Sequence, residues 1–144
     1  MKSNTDNFKE FMKQRAEASE AYVRGDAEPL DGIATRVGPA SFFSPGGGSV
    51  NGASKVRGQY KRDATMFEPG QKNEGKGPFR ILHMEADGNI GYWVGCQTGS
   101  VRMRGKKDAV ATNLRVTEIF RREGKAWKLI HRHADPLAIK ANKS

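Results

Sequence analysis

One cysteine, Cys96, is all that the chain holds. That excludes an intrachain disulfide and any zinc site built mainly from thiolates. Cys96 also has no neighbouring sequence feature that would make its thiolate reactive, so it reads as inert. Long hydrophobic runs are missing as well: no stretch approaches the ~20 apolar residues that a membrane-spanning helix needs. The opening MKSNTDNFKE carries no apolar segment behind its lysine, which speaks against a secretory leader. A cytoplasmic location and no membrane partner are the expectations. Two signatures of reactive loops are also lacking. Gly46 to Gly52 (GGGSVNG) has no lysine and no GK[ST] ending, so it is not a phosphate loop. SFFSPGG does not supply the GxSxG of a serine-hydrolase elbow.

What is present is a polar, basic chain of 144 residues with 25 basic and 16 acidic side chains, a formal charge of +9. The length suffices for one domain with a sizeable core. The cations are scattered, from Lys9 and Arg15 through Arg57 and Lys61 to Arg121, Arg122 and Lys128. No zinc finger, RNP-like aromatic run or long basic helix gathers them. They read as a solvated surface, and a nucleic-acid partner is not expected.

The first half has helical periodicity. Phe8, Phe11, Met12, Arg15, Ala16, Ser19, Tyr22 and Val23 recur at spacings of three and four, which predicts a helix over 6–24 capped by Thr5 or Asp6. Gly25 ends it, and Pro29 suits the first turn of a short helix over 28–35. Residues 40–44 form a short segment stopped by PGGG. Val56, Tyr60, Ala64 and Phe67 predict a third helix over 53–67, capped by Asn51 or Ser54. Residues 68–78 read as a mobile loop.

The second half alternates with period two, and Asp87-Gly88 and Glu123-Gly124-Lys125 supply turns. Strands are predicted over 79–84, 91–98, 114–122 and 126–134. The glycines of the second strand predict a bulge or strong bend. Helices followed by an antiparallel meander define an α+β domain, with helices covering one face of a curved sheet. Residues 1–5 are expected to be a disordered start, 6–136 a single domain and 137–144 a tail.

Alternation along the last strand places Trp127, Leu129, His131 and His133 on one face and Lys128, Ile130 and Arg132 on the other. The first set passes from apolar to imidazole, as a strand does when it runs from core to pocket wall. Across the turn Phe120 lies near Trp127 and shares its face with Glu118, so an inward Phe120 brings Glu118 in too. A carboxylate beside an imidazole orients its nitrogens and stabilises its charged form, and such a pair can move a proton. His131 and His133 are therefore the candidate acid/base groups, with Glu118 as their partner. A buried Glu–His bond that only completes hydrogen bonding is the plainer alternative. One bulge would send Glu118 out and bring Arg115 and Thr117 in. Trp93, Tyr60, Tyr22, Arg102 and Arg115 are the candidate ligand contacts. A metal held by the two histidines would need a third ligand from His83, Cys96 or Glu118, and nothing fixes that spacing. No metal and no cofactor are expected.

Three segments carry a family resemblance: Arg24 to Asp26 (RGD), Phe42 to Gly48 (FFSPGGG) and Arg115 to Asp135 (RVTEIFRREGKAWKLIHRHAD). Together, over about residues 6 to 136, they resemble the SnoaL-like or NTF2-like superfamily, with its ketosteroid-isomerase-like members. The ending is similar to the calcium/calmodulin-dependent kinase association-domain branch. The resemblance implies a cone-shaped (cystatin-like) fold in which N-terminal helices pack on a strongly curved antiparallel or mixed β-sheet. It also implies a pocket for a small organic ligand and a homodimer through the outer sheet face. Steroid isomerases of this group use an aspartate just before a proline and a tyrosine in the first helix. Ser44 and Ala18 stand at those positions, so that chemistry is not expected here. The two functions left open are an isomerase, lyase or cyclase using a histidine acid/base, and a non-catalytic ligand-binding or association domain.

Overall fold

Residues 4–71 and 78–138 are described by the computed structural model. The ends of the expected disordered start and tail, at 1–3 and 139–144, lie outside the described residues. So do 72–77 of the expected mobile loop and the side chains of Thr5 and Asp6, the expected caps.

Three helices precede the meander. They are α1 (Asn4–Tyr22), α2 (Glu28–Ile33) and α3 (Ala53–Ala64). Gly25, at φ +85°, takes the left-handed turn after α1 that a side chain would resist. Pro29 sits in the first turn of α2, where its missing N–H costs nothing. At α3 the N-cap is Gly52, with no side-chain cap bond, so neither Asn51 nor Ser54 caps it.

The strands are β1 (Ser41–Phe43), β2 (Ser49–Asn51), β3 (Phe79–Asp87), β4 (Ile90–Val101), β5 (Val110–Glu123) and β6 (Ala126–Pro136). They form one sheet in the order β2-β1-β6-β5-β4-β3. All neighbours are antiparallel except β1 and β6, which run parallel, so the sheet is mixed. β2 escaped the sequence pattern because a three-residue strand among glycines shows no period.

The α+β class holds, but the strongly curved, cone-shaped sheet does not. The sheet is open and neither closed nor strongly curved, with β2 and β3 at its two free edges. Alternation reports which side chains share a face, and it carries no information on how far a sheet coils. Nor does the three-residue β2 reach beyond β1 to close the ring.

Two bulges set the faces. Leu82 has no counterpart between Ile81↔Gly95 and His83↔Val94. A Cβ on Gly95 would stand 2.1 Å from the Arg80 carbonyl oxygen, so only glycine lets the bulged strand approach. The sequence placed this irregularity on the glycine-bearing strand, and it lies on that strand's partner. The second bulge is at Ile130, between Ile119↔His131 and Phe120↔Leu129.

The core fills the space between helices and sheet. Phe8 of α1 meets Phe120 and Trp127 edge-on at 5.3 and 5.2 Å between centroids. Burying each such ring contributes roughly 1.5–3 kcal/mol. A Cβ on Gly91 would come within 2.9 Å of the Phe8 ring, so glycine there makes room for that packing.

Candidate functional site

The Ile130 bulge decides which side chains of β6 face inward. Up to Leu129 the inward residues are Trp127 and Leu129, as alternation predicts. One unpaired residue then shifts the phase, and Arg132 and Ala134 turn in while His131 and His133 turn out. The expectation that both histidines share a face with Trp127 is thereby corrected.

Arg132 pairs in register with Glu118 on β5, and Glu118 with Trp93 on β4. Glu118 is fully buried and accepts four hydrogen bonds. Arg15 of α1 gives two, Nε to Oε1 at 2.8 Å and Nη2 to Oε2 at 2.7 Å. Trp93 Nε1 donates to Oε1 at 2.8 Å, and Arg132 Nη1 to Oε2 at 2.7 Å. Burial pushes the carboxyl up, but the Arg15 and Arg132 guanidiniums outweigh it and hold its pKa at about 2. The network continues outward: Arg132 Nη2 donates to Gln97 Oε1 at 2.8 Å, and Gln97 Nε2 to Ser19 Oγ at 3.3 Å.

A cavity of about 280 Å³ opens beside this network. Arg15, Ser19 and Tyr22 of α1, Tyr60 and Asp63 of α3, Gln97 of β4 and Arg132 of β6 line it. The rest of the wall is largely apolar, with Leu30, Phe42, Met66, Phe67, Val101, Met103 and Leu114. Burial, followed by neighbouring carboxylates, pushes the phenols of Tyr22 and Tyr60 well above their ordinary value, so both stay protonated. Tyr60 Oη and Arg15 Nη1 are buried without a hydrogen-bond partner.

The structure thus brings Tyr22 and Tyr60 to the cavity and puts Glu118 and Trp93 immediately behind its polar wall. It sets the other candidates elsewhere. Arg115 lies exposed and grips Asp135 with two bonds of 2.7 and 2.9 Å. Arg102 is tied through its backbone to Gln71 and does not line the cavity. His131 Nδ1 lies 2.6 Å from Ser41 Oγ on β1, and its ring meets Phe43 edge-on at 5.0 Å. Burial, then the charge of His133, pulls its pKa below the ordinary value. His133 is exposed, 3.7 Å from Asp135. His83 meets the Tyr92 hydroxyl at 3.0 Å. Among the described residues, no three His, Cys, Asp or Glu side chains converge as a metal site.

Arg15 and Arg132 were missed as site residues. A signal for Arg15 exists: it stands within the apolar stripe of α1, and a guanidinium there requires a buried partner. Arg132 had no such signal, because its face depends on the bulge.

Helices on one face of an open mixed sheet, with a cavity between, is an architecture shared with solved NTF2-like proteins. An NTF2-like superfamily protein from Salmonella enterica serovar Typhimurium matches with a TM-score of 0.72 and 15% identity, covering 95% of each chain. A Streptomyces avermitilis protein provisionally named a dehydratase of the NTF2-like family matches with a TM-score of 0.70 and 21% identity, over 90% of this chain and 94% of that one. An Exiguobacterium sibiricum protein provisionally named a calcium/calmodulin-dependent kinase II association domain has a TM-score of 0.67 and 12% identity, over 97% and 99%. At these identities the likeness is one of fold. The chain belongs to the SnoaL-like domain family, whose model matches residues 13–138. No curated protein sequence matches. Among the described residues no helix is long and apolar enough to cross a membrane.

Proposed function

We propose that this chain binds a small organic molecule in the cavity between α1, α3 and the sheet, without using a histidine as acid or base. The observation that carries this is the buried Arg15–Glu118–Arg132 network beside a largely apolar cavity. A few convergent polar groups in an apolar hollow are what orient a bound ligand. The same network argues against proton abstraction. Glu118 is held ionised by two guanidiniums and has its oxygens fully engaged. A base of so low a pKa has little driving force to take a proton. Tyr22 and Tyr60 stay protonated, and both histidines stand off the cavity wall. The test is fluorescence titration of the purified protein and of its Leu30→Trp variant, in which a larger side chain fills part of the cavity, with a neutral solvatochromic dye, Nile red. Dye that binds the variant as tightly as the unaltered chain would place its site elsewhere and refute the reading.

A second reading, compatible with the first, is that two copies associate through the other face of the sheet. Leu82, Phe43 and Ile90 are exposed by 74, 40 and 47%, and Leu82 shares an open depression with Val94, Cys96 and His133. A largely solvent-facing sheet surface with that much apolar area suits a second copy of itself. Sedimentation of the protein and of Leu82→Lys tests it. A monomer at all concentrations would dismiss the dimer.

A further inference from the structure

Two residues of the cavity wall each bury a polar atom that carries hydrogen and has no hydrogen-bond partner: Arg15 Nη1 and Tyr60 Oη. Both residues are 2% exposed. An unbonded buried donor is costly, and native folds rarely keep one without a reason. Glu118 takes the other two donating nitrogens of Arg15, Nε and Nη2. The guanidinium also lies over the Phe79 ring, 5.1 Å from its centroid. An aromatic face attracts the charge but does not replace an acceptor.

Within the cluster that holds Arg15, the charges do not cancel. Arg15 and Arg132 are both cationic and share the single carboxylate of Glu118. One positive charge is therefore in excess within the Arg15–Glu118–Arg132 cluster. Asp63 is the remaining charged residue on the cavity wall, one helical turn from Tyr60 and already accepting from Gln59 Nε2 at 2.7 Å. It is only half-buried, so solvent screens it more than the buried cluster. A monoanion at the Arg15–Tyr60 position balances the excess charge and provides two acceptors. The apolar wall at Met66, Phe67 and Met103 takes a hydrocarbon body.

The geometry points to an organic carboxylate as the ligand of this cavity, one oxygen accepting from Arg15 Nη1 and the other from Tyr60 Oη. This rests on the cavity being a small-molecule site. A phosphate monoester, with nearly two negative charges, would exceed the single surplus charge and is disfavoured.

The test is calorimetric titration of the protein and of Tyr60→Phe with phenylbutanoate and its neutral isostere phenylbutanamide at neutral pH, with Nile red displacement run in parallel. The carboxylate should bind about tenfold more tightly than the amide, since charge-assisted hydrogen bonds are the stronger kind. Tyr60→Phe should lose most of that preference while melting at the same temperature or higher, because it removes a hydroxyl that the protein leaves unpaired. Equal affinity for acid and amide, with dye displaced by both, overturns the carboxylate and leaves the cavity reading intact. Undiminished preference in Tyr60→Phe also overturns it. Failure of the dye and of both compounds to bind removes both readings together.

Discussion

Replacing Glu118 by glutamine probes the centre of the molecule. The carboxylate accepts four hydrogen bonds from three residues and neutralises one of the two guanidiniums bonded to it, the buried Arg15 and the part-buried Arg132. A glutamine amide has one acceptor oxygen, and its NH2 must face donors on Arg15, Trp93 or Arg132. Removing one partner of a buried ion pair typically costs about 3–5 kcal/mol, chiefly from the charge left unpaired. The pH dependence gives a second magnitude. The carboxyl falls from an ordinary 4.5 to about 2 on folding. A shift of about 2.5 at roughly 1.4 kcal/mol per unit corresponds to about 3 kcal/mol. Because the folded value is the lower one, this contribution is fully present above the unfolded value of 4.5 and fades as pH falls toward 2. Urea unfolding followed by the fluorescence of Trp93 and Trp127, from neutral pH down into this window, measures both. Glu118→Gln should be several kcal/mol less stable at neutral pH, with the gap narrowing on acidification. A gap under about 1 kcal/mol at neutral pH, or one independent of pH, would refute the account of the buried network.

Other perturbations test the packing and the two faces. Gly91→Ala should cost about 1–3 kcal/mol by thermal unfolding, because its methyl meets the Phe8 ring at 2.9 Å. Gly95→Ala should be worse, since its contact is backbone at 2.1 Å and the bulged strand must move. Trp127→Ala, at a side chain 5% exposed, should cost roughly 3–5 kcal/mol in the same assay. His133→Ala, at an exposed side chain, should change stability by no more than about 0.5 kcal/mol and leave cavity binding unaltered in dye titration.

The legible part of the fold is the part that period alone determines. Helix α1 announced itself through Phe8, Phe11, Met12 and Arg15, and the β5–β6 hairpin through Phe120, Trp127 and Leu129. An inward Glu118 followed from Phe120 two residues on, with no irregularity between them on β5. The partner of Glu118 was not legible. In AWKLIHRHAD the strict alternation selects His131 and His133, and nothing in the letters marks Ile130 as the extra residue. A single unpaired residue exchanges imidazoles for a guanidinium at the polar wall. The openness of the sheet escaped for a different reason, since coiling arises from twist and bulges summed over strands rather than from any one pattern.

The parallel pairing of β1 with β6 has a bearing on how the chain assembles. Phe42 and Arg132 are register partners although 90 positions separate them, and β2 reaches the sheet only by way of β1. In the meander, consecutive strands are neighbours, joined by two-residue turns at β3–β4 and β5–β6 and by residues 102–109 between β4 and β5, so it can form locally. The β1–β2 hairpin must instead wait for the last strand, and pairings of such long range are slow to form. Phe42 and Arg132 both line the cavity, so its walls meet only when the first strand docks on the last. The hollow is therefore expected to be among the latest features of the molecule to take shape, and the first to be lost when β1 lets go.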